Sequence, residues 1–178
     1  MIKGYFADIF SYRELIFNLV AKDFKVRYKT ATLGFLWTLL NPLLMMVILS
    51  IVFSVFLKLQ IAKYPLFLLT ALLPWHFFSQ SLSIATTSIV DNADLIRKVP
   101  FPREIIPLSA IIAQFIFFLL SLTILFIFLA IFKVRFTLLI LYLPLLLLIE
   151  FIFTLGISLA TSALHTQYRD VKYVIEAL

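Results

Sequence analysis

The chain has 178 residues, 63% of them hydrophobic and only 13% charged, with a mean hydropathy of +1.12. That composition excludes a soluble globular domain and points to an integral membrane protein. Fifteen Lys and Arg against nine Asp and Glu leave a net charge of +6, and the lack of cysteine excludes a disulfide framework or a thiolate metal site.

Residues 1–32 are polar and basic and contain no apolar stretch of signal-sequence type, so the first span is expected to anchor itself uncleaved. Ser11, Glu14, Asn18, Lys22, Lys25 and Lys29 recur at gaps of three and four, which stacks them on one helical face. Ile9, Phe10, Ile16, Phe17, Leu19, Val20 and Phe24 occupy the remainder. Asp23 and Arg27 lie off the polar stripe but four apart, close enough to neutralise each other. Lys22, Lys25, Arg27 and Lys29 over a wide apolar face suit an interface helix in the inner headgroup layer. An ordinary juxtamembrane helix that steers topology has the same pattern.

Four windows reach the roughly 20 apolar residues that a bilayer crossing needs. They cover about residues 33–57, 64–90, 105–132 and 136–164. Backbone amides left unpaired in lipid are costly, so spans are helices or closed barrels, and no period-two alternation supports a barrel. The expected fold is therefore an all-α integral membrane protein, one domain over 1–178, with an N-terminal interface helix and four transmembrane helices.

The first window contains Asn41-Pro42 and the second Pro65 and Pro74, each a site where a helix loses a donor and bends. The inner half of the second window carries Ser79, Gln80, Ser81, Ser83, Thr86, Thr87 and Ser88. Such residues allow close helix packing, or they line a pore.

Between the second and third windows lies a charged island, residues 91–104, in which seven of fourteen residues are Asp, Glu, Lys, Arg or Asn. Asp91 or Asn92 is expected to cap a helix of about two turns. Asp94 then sits near its start, Leu95 and Ile96 form its apolar edge, and Arg97-Lys98 lie near its C-terminus. Val99-Pro100-Phe101-Pro102 ends it, since a residue before proline is pushed to extended geometry. Pro102 suits the first turn of the third span, with Arg103 beside it. The expected product is a stiff knob attached to two spans at once.

Glu150 falls near the middle of the fourth window, where a carboxylate costs about 3 kcal/mol and marks a functional candidate. It either lines a wet cavity or is protonated and hydrogen-bonded to Gln114 or Asn41. His76 and His165 are solitary. Residues 165–178 form a polar tail.

Lys and Arg set the orientation. Eleven of them fall on the N-terminal segment, the island and the tail, against four (Lys58, Lys63, Lys133, Arg135) on the other connections. Both termini and the island are thus expected on the cytoplasmic side of a multi-pass membrane protein. No phosphate loop, His-Glu-x-x-His or Gly-x-Ser-x-Gly motif occurs, and three glycines (Gly4, Gly34, Gly156) cannot cradle a phosphate. No catalysis, metal or bound cofactor is expected of this chain, and no nucleic-acid partner.

Several stretches carry a family resemblance. They are Lys22-Asp23-Phe24-Lys25-Val26-Arg27-Tyr28-Lys29; Leu33-Gly34-Phe35-Leu36-Trp37-Thr38-Leu39-Leu40-Asn41-Pro42; Leu72-Leu73-Pro74-Trp75 with Phe77-Phe78; Asn92-Ala93-Asp94-Leu95-Ile96-Arg97-Lys98 with Phe101-Pro102-Arg103-Glu104; and Tyr168-Arg169-Asp170-Val171. In this order they resemble the membrane permease of ABC-2 exporters that serve O-antigen, capsule and teichoic-acid polymers.

The resemblance implies a separate cytoplasmic ATPase subunit that holds ATP and magnesium, a second permease copy, membrane lipids around both, and a lipid-linked glycan as substrate. The island would be the helix seated in an ATPase groove, through Asp91, Asn92, Asp94, Leu95, Ile96, Arg97, Lys98, Phe101 and Arg103. Trp37, Asn41, Gln114 and Glu150 would be channel or intramembrane polar positions. The family has six spans, so the expectation is a truncated version of that fold. A drug or small-lipid exporter permease, or a non-transporting membrane scaffold, is the alternative.

Overall fold

The computed structural model describes residues 11–29, 35–53, 63–134 and 137–177, with the side chains of 26–39 outside that description. The expected roles of Arg27, Lys29 and Trp37 rest on those side chains, and the ends of the first window also fall outside the described residues. Every regular element described is helical: α1 Arg13–Lys29, α2 Phe35–Ile51, α3 Tyr64–Asp91, α4 Ala93–Lys98, α5 Ile105–Ile131, a 3₁₀ turn Leu138–Tyr142, α6 Leu143–Gln167 and α7 Val171–Glu176. Two stretches, Ile105–Ile131 and Leu138–Gln167, are long and apolar enough to cross a membrane. At 1.5 Å per residue the 27 residues of α5 extend about 40 Å, beyond the thickness of a hydrocarbon core.

α3 is the hub and packs against α2, α5, α6 and α7. Its 28 residues begin with Pro65 in the first turn, where the missing N–H has no helical use, and continue through Pro74. One face of α3 (Leu66, Leu69, Leu73, Phe77) meets Phe118, Leu122 and Leu125 of α5 and Met46 of α2 in the main apolar core. Phe77 stacks on Phe118, with centroids 5.1 Å apart and planes 10° apart, and meets Phe115 edge-on at 5.5 Å. Such ring pairs hold two helices in register as well as together.

The α3–α6 seam is built differently. Thr154, Ser158 and Ser162 of α6, spaced by four, are each 0% exposed, and Ser81 and Ala85 of α3 are likewise sealed. Thr86 Oγ1 donates to Thr161 Oγ1 at 3.0 Å across the two helices. Small side chains let two helix backbones approach closely, which drives helix association where lipid offers no hydrophobic gain. Packing therefore accounts for Ser81, Thr86 and Ser88 in the polar half of α3. Ser83 and Thr87, together with Ser88, line a cleft at the charged end of the bundle.

At the opposite end, two lysines close the connections. Lys133 takes a left-handed conformation (φ 48°), with Lys133 N–H on the Ala130 carbonyl and Val134 N–H on Leu129, which satisfies the last carbonyls of α5. Lys63, also left-handed (φ 57°), starts α3 and donates through Nζ to the Phe132 carbonyl at 2.8 Å. One cation thus braces the end of α5 against the start of α3.

Some boundaries move from the sequence expectation. α5 starts at Ile105, so Pro102 precedes it in a turn, and the buried Pro107 takes the first-turn position. The fourth window opens with the 3₁₀ turn, and its helix runs on to Gln167. The tail is partly helical, as α7, and Lys172 and Glu176 pair at 3.6 Å along it. Asp170 before Val171 is the sequence signal for that helix: its carbonyl accepts from Tyr173 and Val174.

Candidate functional site

The charged island folds into the expected short helix. α3 ends at Asp91, Asn92 makes the corner, and α4 follows over Ala93–Lys98. Val99 is extended (φ −131°, ψ 125°), as the proline behind it requires, so α4 stops there. Asp94 lies in its first turn and Arg97 and Lys98 in its last, each sign at the helix end it complements.

Neither Asp91 nor Asn92 caps α4 with its side chain; Asn92 occupies the N-cap position, but no side-chain cap bond forms. Its amide is engaged elsewhere. Asn92 Nδ2 donates to the Ser88 carbonyl at 2.8 Å, and Asn92 Oδ1 accepts from Lys22 Nζ at 3.0 Å. The first bond closes the last turn of α3, and the second ties α1 to the corner. A carbonyl oxygen already bound to an ammonium has little reach left for the helix amides.

The apolar edge of α4 also turns inward. Leu95, Ile96 and Phe101 pack with Tyr12, Leu15, Ile16 and Leu19 of the N-terminal segment and with Ile105 and Ile106 of α5. The polar stripe of α1 stays outside: Ser11, Glu14, Asn18, Lys22 and Lys25 are exposed, as their spacing predicts. Phe17, 73% exposed, stands among them. Further along, Phe24 meets Phe117 of α5 at 4.3 Å. Leu19 packs at the first turn of α5 and Phe117 lies three turns beyond it, so α1 climbs along α5.

The outer surface of this unit is therefore charged. Asp91, Asp94, Arg97, Lys98, Arg103 and Glu104 are exposed, together with Val99 and Pro100. Below it, α1, α3, α5 and α7 enclose a cleft of about 450 Å³ lined by Lys22, Asp23, Ser83, Thr87, Asn92 and Lys172, among others. Sequence reasoning put the tail at this end but did not foresee its helix or Lys172 in the wall of the cleft.

Lys22→Met is expected to loosen α1 from the corner. Loss of a partly exposed hydrogen bond is worth about 0.5–1.5 kcal/mol. Amides of α1 should then exchange hydrogen for deuterium about 2- to 10-fold faster, while those of α5 are unchanged. Unaltered exchange in α1 would mean that the apolar contacts alone hold it.

The intramembrane candidates are not brought together. Gln114 is buried beside Pro42, His76, Phe77 and Ser121, between α2, α3 and α5. Asn41 is exposed on α2. Glu150 lies in a different groove, between α3 and α6, with Ala71, Pro74, Trp75, Phe78 and Phe153. It has no hydrogen-bond or ion-pair partner among the described residues, so the expected bond to Gln114 or Asn41 does not form. The reason is rotational: Gln114 points into the α2–α3–α5 core, while Glu150 sits on the side of α6 away from it.

The family model of the ABC-2 type transporters matches residues 14–178. This chain belongs to the ABC-2 type transporter family. The match covers α1 through α7, so the charged corner and α1 both lie within the ABC-2 region and the protein is a membrane protein. Among curated relatives, an O-antigen export system permease protein RfbA of Klebsiella pneumoniae is 37% identical over 160 residues, 89% of this chain and 62% of the relative. A second from the same organism is 36% identical over 160 residues, with the same coverage. The protein of that name from Myxococcus xanthus is 33% identical over 171 residues, 96% of this chain and 66% of the relative. The chain thus spans somewhat less than two thirds of the length of the ABC-2 relatives it matches.

Proposed function

We propose that this chain acts as the permease of an ATP-driven exporter that moves a lipid-linked polysaccharide outward across a bacterial inner membrane. α2, α3, α5 and α6 are its four spans in this reading, α1 lies at the inner face, and α4 and α7 face the cytoplasm with the N-terminus. ATP and magnesium belong to a separate ATPase subunit, and a second permease copy completes the path.

The observation that carries the reading is the α4 unit. A charged surface is held on two long helices at once, braced from a third element by Lys22 on Asn92 and by Leu95 and Ile96 on α1. A push on that surface would reach α3 and α5 together, since Asn92 joins α4 directly to α3 and the turn over 99–104 joins it to α5. The names of the relatives supply the class of substrate. Exposed α4 residues and Arg103 form the contact, and Leu95, Ile96 and Phe101 transmit it.

The test is export. The chain, co-expressed with a candidate ABC ATPase subunit, should place polysaccharide outside the inner membrane, and the ATPase should co-purify with it. Export of a small lipid or drug in place of the polymer would move the substrate class. Co-purification without any transport would leave a scaffold.

A further inference from the structure

We propose that the cavity between α2, α3 and α5 is an ordered-water site, where water held by the Gln114 amide and the His76 ring links the three helices at the level of Pro42. The site is independent of what the chain carries.

Gln114 is only 6% exposed, about two and a half turns into α5. It lines a cavity of about 30 Å³ together with His76 of α3, Ser121 of α5 and Pro42 of α2, against an aromatic wall that includes Phe77 and Phe118. About 10–15 Å³ of such space admits one water molecule, so this cavity takes one or two and is too small for an organic ligand.

The polar groups around it have bonding positions to fill. The side chains of Gln114 and His76 make no hydrogen bond to a described residue. Ser121 Oγ donates to the Phe117 carbonyl at 2.9 Å and keeps its lone pairs to accept. Pro42 adds a fourth group. It has no N–H, so the Thr38 carbonyl one turn back lacks its helical donor. Ordered water is one of the means by which a helix in lipid satisfies a carbonyl freed by proline.

Other occupants fit these groups poorly. A dry cavity leaves a buried amide unpaired in apolar surroundings, which is costly. A cation would bring charge to a wall that has no carboxylate among its described residues. Water both donates and accepts, and Gln114, His76 and Ser121 supply the roughly two to four partners it needs. α2 is then joined to α3 and α5 by hydrogen bonds through water as well as by Met46 in the main core.

The experiment is solid-state NMR on the full chain in phosphatidylcholine vesicles, with nitrogen-15 in the Gln side-chain amides and the His rings. The chain has four Gln and two His, and Gln114→Met and His76→Phe assign their signals. Magnetisation from water protons should reach both the Gln114 amide and the His76 ring. In Gln114→Met, which keeps the volume but cannot hold the water, transfer to His76 should fall about threefold or more. Pro42→Ala restores the missing N–H and should weaken transfer to Gln114 about twofold.

No water transfer to Gln114 in the unsubstituted chain, or a direct Gln114–His76 contact in its place, overturns the proposal. Transfer from acyl-chain protons to both side chains would open the cavity to lipid and overturn it as well. Undiminished transfer to His76 in folded Gln114→Met would remove Gln114 as the holder of the water. The unsubstituted chain decides the first two outcomes, so a misfolded variant does not protect the proposal.

Discussion

Reversing both charges in Arg97→Glu/Lys98→Glu is expected to reduce association with the proposed ATPase subunit by about 100-fold. Leu95 and Ile96 are half-buried against Leu19, Ile105 and Ile106 while Asp94, Arg97 and Lys98 are exposed, so the contact proposed for α4 is expected to be largely electrostatic. Like charges brought together at such a contact raise the dissociation rate and block the correct register. Two measurements follow. Pull-down of the ATPase from detergent extracts should fall with the double variant, while membrane insertion and α-helical content stay unchanged. Association of the unaltered chain should itself weaken between low and physiological salt, as exposed charge pairs are screened over about 8–10 Å. Unchanged pull-down in the double variant would place the contact elsewhere at this end, with α7 and its Lys172 and Glu176 as the next surface to test.

Ser158→Phe is expected to separate α6 from α3. Ser158 is 0% exposed in a seam of Thr154, Ser162, Ser81 and Ala85, where no volume is free for a ring. Overpacking a sealed site costs about 1–3 kcal/mol or more, and beyond this seam α6 is held chiefly by Leu147 and Phe151 on the main core. Its opposite face (Leu145, Leu146, Leu148, Ile149, Ile152) is open. The variant should lose several degrees of thermal stability in detergent and become prone to proteolysis near Leu138–Tyr142. Ser158→Ala serves as the control. Ser158 Oγ has no hydrogen-bond partner among the described residues, so its removal should be neutral or stabilising by up to about 1 kcal/mol. If phenylalanine is tolerated as well as alanine, the seam is looser than its burial indicates.

Much of the architecture is legible along the chain because lipid imposes simple one-dimensional rules. About 20 apolar residues make a crossing, and charged residues gather at its ends. The short α4 helix was legible for the same kind of local reason: an acid at its start, basic residues at its end, and a proline one residue past its stop. The polar stripe of α1 followed from spacing alone.

Partner choice was not legible. Asn92 has the chemistry of a cap, yet Lys22, seventy residues away, engages its oxygen. Leu95 and Ile96 have the look of an outward grip, yet both are half-buried against Leu19 of α1 and Ile105 and Ile106 of α5. Glu150, Gln114 and Asn41 are three polar groups in neighbouring spans, and pairing them was a natural expectation. Helix rotation sets them on different sides, and rotation depends on which small residues meet across each seam.

The sequence by itself therefore determined the class of protein, its helical character with two long apolar helices, the charged corner and the family, since each depends on composition or local order. Only the tertiary structure decided which face of each helix meets which neighbour. That choice comes from side-chain packing between distant segments: the Phe77–Phe118 stack, the Thr154–Ser158–Ser162 seam and the Lys22–Asn92 tie. Those same contacts turned the corner into a braced unit and left Glu150 facing an open aromatic groove.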